Sequence, residues 1–210
     1  MTSPPHATLR YEPGTGRGLA LILAGLTYRS DRPLLAMVAA RAAVQGLARL
    51  RVDFSYADDP AFMAQEDEAQ LARIEADGAA LLGEALARSD GRPLWVAGKS
   101  LGTIAMGGMM AAPPARALWL WLTPSLRGTY LMERMVLCPG PSFSLIGSRD
   151  PSAALCREAA YQGLPGLHHV EIRGTDHGWT HEDGPAATAG AEADAARALA
   201  GWLLGVRDIY

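Results

Sequence analysis

Six short apolar runs recur along the chain, at Leu19 to Ala24, Leu50 to Phe54, Leu94 to Ala97, Ala117 to Leu122, Phe143 to Ile146 and Leu167 to Ile172. Each has the length of a strand. Between them lie segments of helical period, clearest where Leu71, Ile74, Leu81 and Ala85 recur at three, four or seven residues, and where Ala195, Leu199, Trp202, Leu203 and Val206 do so near the C-terminus. Near-continuous apolar strands that alternate with amphipathic helices need cover on both faces. The expectation is an α/β fold with a mostly parallel central sheet and helices on each side. A chain of 210 residues fits one domain, expected over 14–210, and buries roughly 70% of its unfolded surface. Residues 1–13 contain prolines and no apolar stretch, so they read as a mobile tail and not as a signal peptide.

Composition removes several function classes. The chain is 49% hydrophobic and 20% charged with a net charge of -3, which gives no basic surface for nucleic acid. The longest apolar tract, from Met106 to Leu122, is interrupted by Pro113-Pro114 and Arg116, so no membrane partner is expected. With only Cys138 and Cys156, outside any C-x-x-C, the chain reads as a cytoplasmic protein with free thiols.

In doubly covered parallel sheets, ligands bind at the carboxyl ends of the strands. Four places meet that condition: Gly25 to Tyr28, Lys99 to Gly102, Arg149-Asp150, and Asp176-His177 beyond the last run. The second is the most telling. Gly98-Lys99-Ser100-Leu101-Gly102 follows an apolar strand and precedes a segment of small residues, so it reads as strand, sharp turn, helix. A serine at the tip of such a turn crowds its neighbours, and glycine two positions before and after it removes the clashing Cβ atoms.

Acyl transfer by serine needs a base for the hydroxyl proton, an acid to orient that base, and donors for the oxyanion. Ser100, His177 and Asp150 supply the nucleophile, the base and the acid, in the chain order Ser, Asp, His. With the elbow, the post-strand Gly147-Ser148-Arg149-Asp150-Pro151 and the loop Gly174-Thr175-Asp176-His177-Gly178, the sequence resembles the α/β-hydrolase superfamily from about Leu19 to Val206. It looks most like the small, lidless serine hydrolases of the dienelactone-hydrolase-like group, and the short Thr123 to Gly128 connection leaves no room for a lid domain. The resemblance implies an oxyanion hole made by the backbone N–H of Leu101 and by that of Leu26, in the loop after the first core strand. Where the family often has His-Gly, this chain has Ala24-Gly25, and where dienelactone hydrolases usually carry cysteine it has Ser100.

The expected function is hydrolysis of an ester, thioester or lactone of a small molecule, through an acyl-serine intermediate and without a cofactor. The alternatives are a binding protein on the same fold with a silent triad, and an acyltransferase. Tyr28 and Trp179 flank two of the catalytic loops and are expected to line the substrate pocket. Arg29, Arg127 and Arg149 stand near strand ends as candidate contacts for an acidic substrate group. Asp150 before Pro151 also fits a helix cap, and Asp176 is the rival acid.

Lys99 carries no role on spacing alone. Met106, Met109, Met110, Trp119 and Trp121 read as core. A phosphate loop ending in Gly98-Lys99-Ser100 would need glycine where Pro93 stands. His177 and His181 have metal-like spacing, but Gly178 between them argues against a helical metal site.

Overall fold

Burial of six apolar strands requires a sheet with two covered faces, and the chain builds one. The computed structural model describes residues 4, 6–16, 18–126 and 129–206. In chain order its elements are β1 (Ala7–Glu12), β2 (Leu19–Leu23), α1 (Pro33–Val44), β3 (Ala48–Phe54), α2 (Pro60–Met63), α3 (Asp67–Ser89), β4 (Leu94–Ser100) and α4 (Leu101–Gly108). There follow β5 (Ala117–Pro124), α5 (Tyr130–Val136), β6 (Ser142–Gly147), α6 (Ala153–Cys156), α7 (Ala159–Gln162), β7 (Leu167–Ile172) and α8 (Pro185–Gly205). The strands lie in the order β1-β3-β2-β4-β5-β6-β7, all parallel to their neighbours except β1. Each expected apolar run is a strand.

The two-residue period of a strand divides the core. Leu19, Leu21 and Leu23 of β2 share one face with Leu94 and Val96 of β4, beneath Leu81 of α3, Met106 of α4 and Leu131 of α5. Ala20, Ile22, Trp95 and Ala97 take the other face, against Leu35 and Val38 of α1 and Ala195 and Leu199 of α8. Full burial of each large aliphatic side chain contributes about 1.5–3 kcal/mol. Proline at the first turn starts α1 and α8, and Asp90 in the left-handed region stops α3. Met106, Met109, Met110, Trp119 and Trp121 are buried in the core as expected.

The expected mobile tail over 1–13 needs correction. Residues 7–12 form β1, which runs antiparallel to β3, from Ala7 opposite Phe54 to Glu12 opposite Arg49. The Glu12 carboxylate lies 2.8 Å from the Arg49 guanidinium and 2.9 Å from that of Arg51. An edge strand with half-exposed residues needs no apolar run, so its pairing was invisible in composition. Between β5 and α5 no lid is inserted among the described residues.

Candidate active site

Ser100 ends β4, and its backbone sits at φ 53° and ψ -116°, a conformation that non-glycine residues avoid. Such strain costs of order 1–3 kcal/mol and persists only where the surroundings impose it. Here the two flanking glycines permit the turn. A Cβ on Gly98 would stand 2.5 Å from the Gly102 carbonyl oxygen, and one on Gly102 would stand 2.5 Å from that of Leu23. The turn is therefore packed directly against the end of β2, and only glycine fits at either position.

The other two members arrive from the ends of β6 and β7. Asp150 follows β6 in a tight turn and is buried, with one carboxylate oxygen accepting the Ser152 N–H at 2.8 Å. Its second oxygen lies 2.6 Å from His177 Nδ1, and His177 Nε2 lies 2.8 Å from Ser100 Oγ. A carboxylate only accepts, so Nδ1 carries the proton and Nε2 is left to accept from the serine hydroxyl. The expected helix-cap position falls to Ser152, which precedes α6; Asp150 instead closes the turn before it with one oxygen and partners the histidine with the other. Asp176, the rival acid, caps its own loop by accepting the Thr180 N–H at 2.8 Å.

Around the serine, Leu101 opens α4, so its N–H has no carbonyl four residues back within the helix. The loop carrying Leu26 lies against the same turn: a Cβ on Gly25 would stand 3.3 Å from the Lys99 carbonyl oxygen and 3.5 Å from Ser100 Cβ. Thr103 Oγ1 donates to the Ser100 carbonyl at 2.6 Å and accepts the Ser125 N–H at 3.2 Å. That contact depends on an irregularity in the sheet. Lys99 pairs with Leu122 but Ser100 pairs with Pro124, so Thr123 is skipped, and it takes φ 43°. The bulge turns the end of β5 inward and leaves Ser125 Oγ 3.5 Å from Ser100 Oγ.

Ser125 also lines a cavity of about 250 Å³, walled by Leu71 and Ile74 of α3, Ile104 of α4 and Tyr130 of α5, with the exposed Asp67 and Glu68 beside it. Both aromatics expected to line a pocket are buried. Tyr28 is 7% exposed, and its hydroxyl accepts the Leu34 N–H at 3.1 Å; Trp179 is 2% exposed and packs in the core under α8. Their place in the chain beside two site loops carried no information on which way the rings turn.

Arg29 pairs with Asp53 at 3.6 Å and Arg149 with Glu182 at 3.5 Å, while Arg127 lies outside the described residues. Sequence reading passed over Ser125, although it follows an apolar run as the strand-end rule requires. It also passed over the α3 residues, which no local signal connects to Ser100.

No protein-family model and no curated protein matches the chain significantly. Solved structures do. An α/β serine hydrolase homologue from Coxiella burnetii superposes with a TM-score of 0.69 at 14% identity, over 94% of each chain. Est1E from Butyrivibrio proteoclasticus, with ferulic acid bound, gives 0.60 at 14% identity, over 92% of this chain and 96% of that one. A cold-adapted esterase from an Arctic intertidal metagenomic library gives 0.57 at 21% identity, over 91% and 88%. At these identities the likeness concerns architecture and does not single out a dienelactone-hydrolase-like subgroup. Sheet order, the strained serine between two glycines and the superposition over nearly the full chain agree: this chain has the α/β-hydrolase fold.

Proposed function

We propose that the protein is a serine hydrolase that cleaves an ester, thioester or lactone of a small molecule through an acyl-serine intermediate. The observation that carries this reading is the unbroken hydrogen-bonded line from Ser100 through His177 to Asp150, with contacts of 2.8 and 2.6 Å. Ser100 Oγ attacks the carbonyl carbon while its proton passes to His177 Nε2. The negative charge formed on the carbonyl oxygen is met by the N–H groups of Leu101 and Leu26, each such donor being worth roughly 10²–10³ in rate. Collapse breaks the bond to the leaving group, which takes the proton from Nε2. Water then repeats the sequence, with His177 as base, and releases the acid. Asp150 holds the imidazole in the required tautomer throughout.

The cavity beside Ser125 is the seat for the acyl group. At about 250 Å³ it lies below the usual range for drug-sized ligands, which favours a short or medium acyl chain. Its exposed acidic neighbours disfavour an anionic one. The structural neighbours named above as a serine hydrolase homologue and as a cold-adapted esterase point the same way. A silent binding protein has no need of a strained nucleophile in contact with an oriented base.

The test is reaction of the folded protein with a fluorophosphonate, read by intact mass and by the labelled peptide. One adduct on Ser100, lost in Ser100→Ala and His177→Ala, is the expected result. A folded wild-type protein that stays unlabelled would remove the hydrolase reading in favour of a binding protein.

A further inference from the structure

Lys99 stands immediately before the nucleophile, and its side chain is 1% exposed. Strand alternation explains the direction it takes. Trp95 and Ala97 of β4 face the α1 and α8 side of the sheet, so Lys99 points that way as well, beneath the loop that carries His177. Its Nζ donates to the His177 carbonyl oxygen at 2.8 Å and lies 4.4 Å from the centroid of the Tyr28 ring. Tyr28 is itself fixed through its hydroxyl to the first turn of α1. An ammonium out of water costs several kcal/mol unless its surroundings compensate. Here a carbonyl, an aromatic face and the field of Asp150 and Asp176 do so in part. Burial still holds Lys99 down at about 8, against an ordinary value of 10.5. A structural role alone would be filled by a leucine or methionine at far lower cost.

We propose that Lys99 is a positioning residue, whose ammonium ties the His177 loop to the strand that carries the nucleophile and so fixes the distance from the imidazole to Ser100 Oγ. The loop from Arg173 to Gly184 contains no helix or named strand, only an isolated bridge between Thr175 and His181. Asp150 orients the far side of the His177 ring, but nothing else on the nucleophile strand grips the His177 backbone. Because Lys99 and Ser100 are adjacent in the chain, the base is referenced to the nucleophile through one peptide unit. This inference rests on the hydrolase reading.

Electrostatics alone predicts the opposite sign. A cation near the imidazolium that forms during attack is repulsive, so its removal by itself would speed the reaction. The tether predicts a slower one.

Lys99→Met keeps an unbranched chain of similar length and removes the donor. With a p-nitrophenyl ester, kcat per titrated active site is expected to fall at least about 10-fold with KM within about 2-fold, since ångström-scale misplacement of a base acts on the chemical step. The rate of phosphonylation of Ser100 should fall in parallel. Normalising to titrated sites excludes a misfolded fraction as the cause, and Lys99→Leu, read in the same way, guards against a Met variant that does not fold. Unchanged or raised kcat in a folded variant would overturn the role of Lys99 while leaving the hydrolase reading intact. A wild-type protein that neither turns over ester nor labels at Ser100 would overturn both.

Discussion

At the scale of single residues, the site concentrates unfavourable choices. Ser100 has a left-handed backbone, Thr123 beside it has another, and Lys99 holds a buried amine. Each opposes stability, and the last can be measured through protons. Burial lowers Lys99 to about 8, whereas in the unfolded chain it returns to about 10.5. Between those values the unfolded chain binds a proton that the folded chain has released, so this group's contribution to stability improves as pH rises through that window. Below about 8 both states carry the charge, and the full penalty of about 3 kcal/mol is present. Lys99→Met should therefore exceed wild type in unfolding free energy by the largest margin near pH 7, with the gap closing toward pH 10.5. Denaturant melts of both proteins across that range test this, and two parallel curves would show that the amine is not desolvated. A variant that is more stable and less active is the pattern expected where a site is held together by a costly group.

At the scale of elements, the site is made where α3, α4 and α5 meet the ends of β2, β4, β5, β6 and β7, and its parts differed in legibility. The elbow and Ser100 were readable because strand–turn–helix chemistry is local, with glycines at fixed offsets and then a helix start, and Asp150 and His177 because each stands just beyond an apolar run in the chain order Ser, Asp, His. Lys99 was readable in principle, since the period of β4 sets its direction. The wall of the cavity was not. Leu71 and Ile74 lie far from Ser125 in sequence and join it around the cavity only because α3 packs along α4, a fact of tertiary structure. Leu71 is half-buried, which makes it the least disruptive point at which to fill the cavity. If the acyl group sits there, Leu71→Trp should lower kcat/KM for a hexanoate ester at least about 10-fold relative to the acetate, a loss of about 1.4 kcal/mol of discrimination. Phosphonylation by a small fluorophosphonate should be unaffected. An unchanged chain-length profile in p-nitrophenyl ester assays would place the acyl group elsewhere.

At the scale of the whole molecule, the sheet has one edge that sequence reading left bare. The apolar runs define β2 to β7, but β1 has no such run and is held by its ladder to β3 and by Glu12 against Arg49 and Arg51. It is also remote from the reacting groups. The link between edge and site runs through β3, whose Val52 carbonyl accepts the Ala24 N–H at 2.9 Å at the start of the loop that bears Leu26. That bond belongs to β3 and survives without β1. Removal of residues 1–12 should thus separate stability from chemistry. It uncovers a strand with Leu50, Val52 and Phe54 on one face and free backbone groups along its edge, which is a template for pairing with a second copy. The truncated chain is expected to melt at lower temperature and to self-associate with concentration, by light scattering, while its folded fraction still takes one phosphonyl group on Ser100. A truncated protein that is monodisperse, equally stable and unreactive would reverse both halves of that expectation, making β1 part of the site and not the guard of an edge.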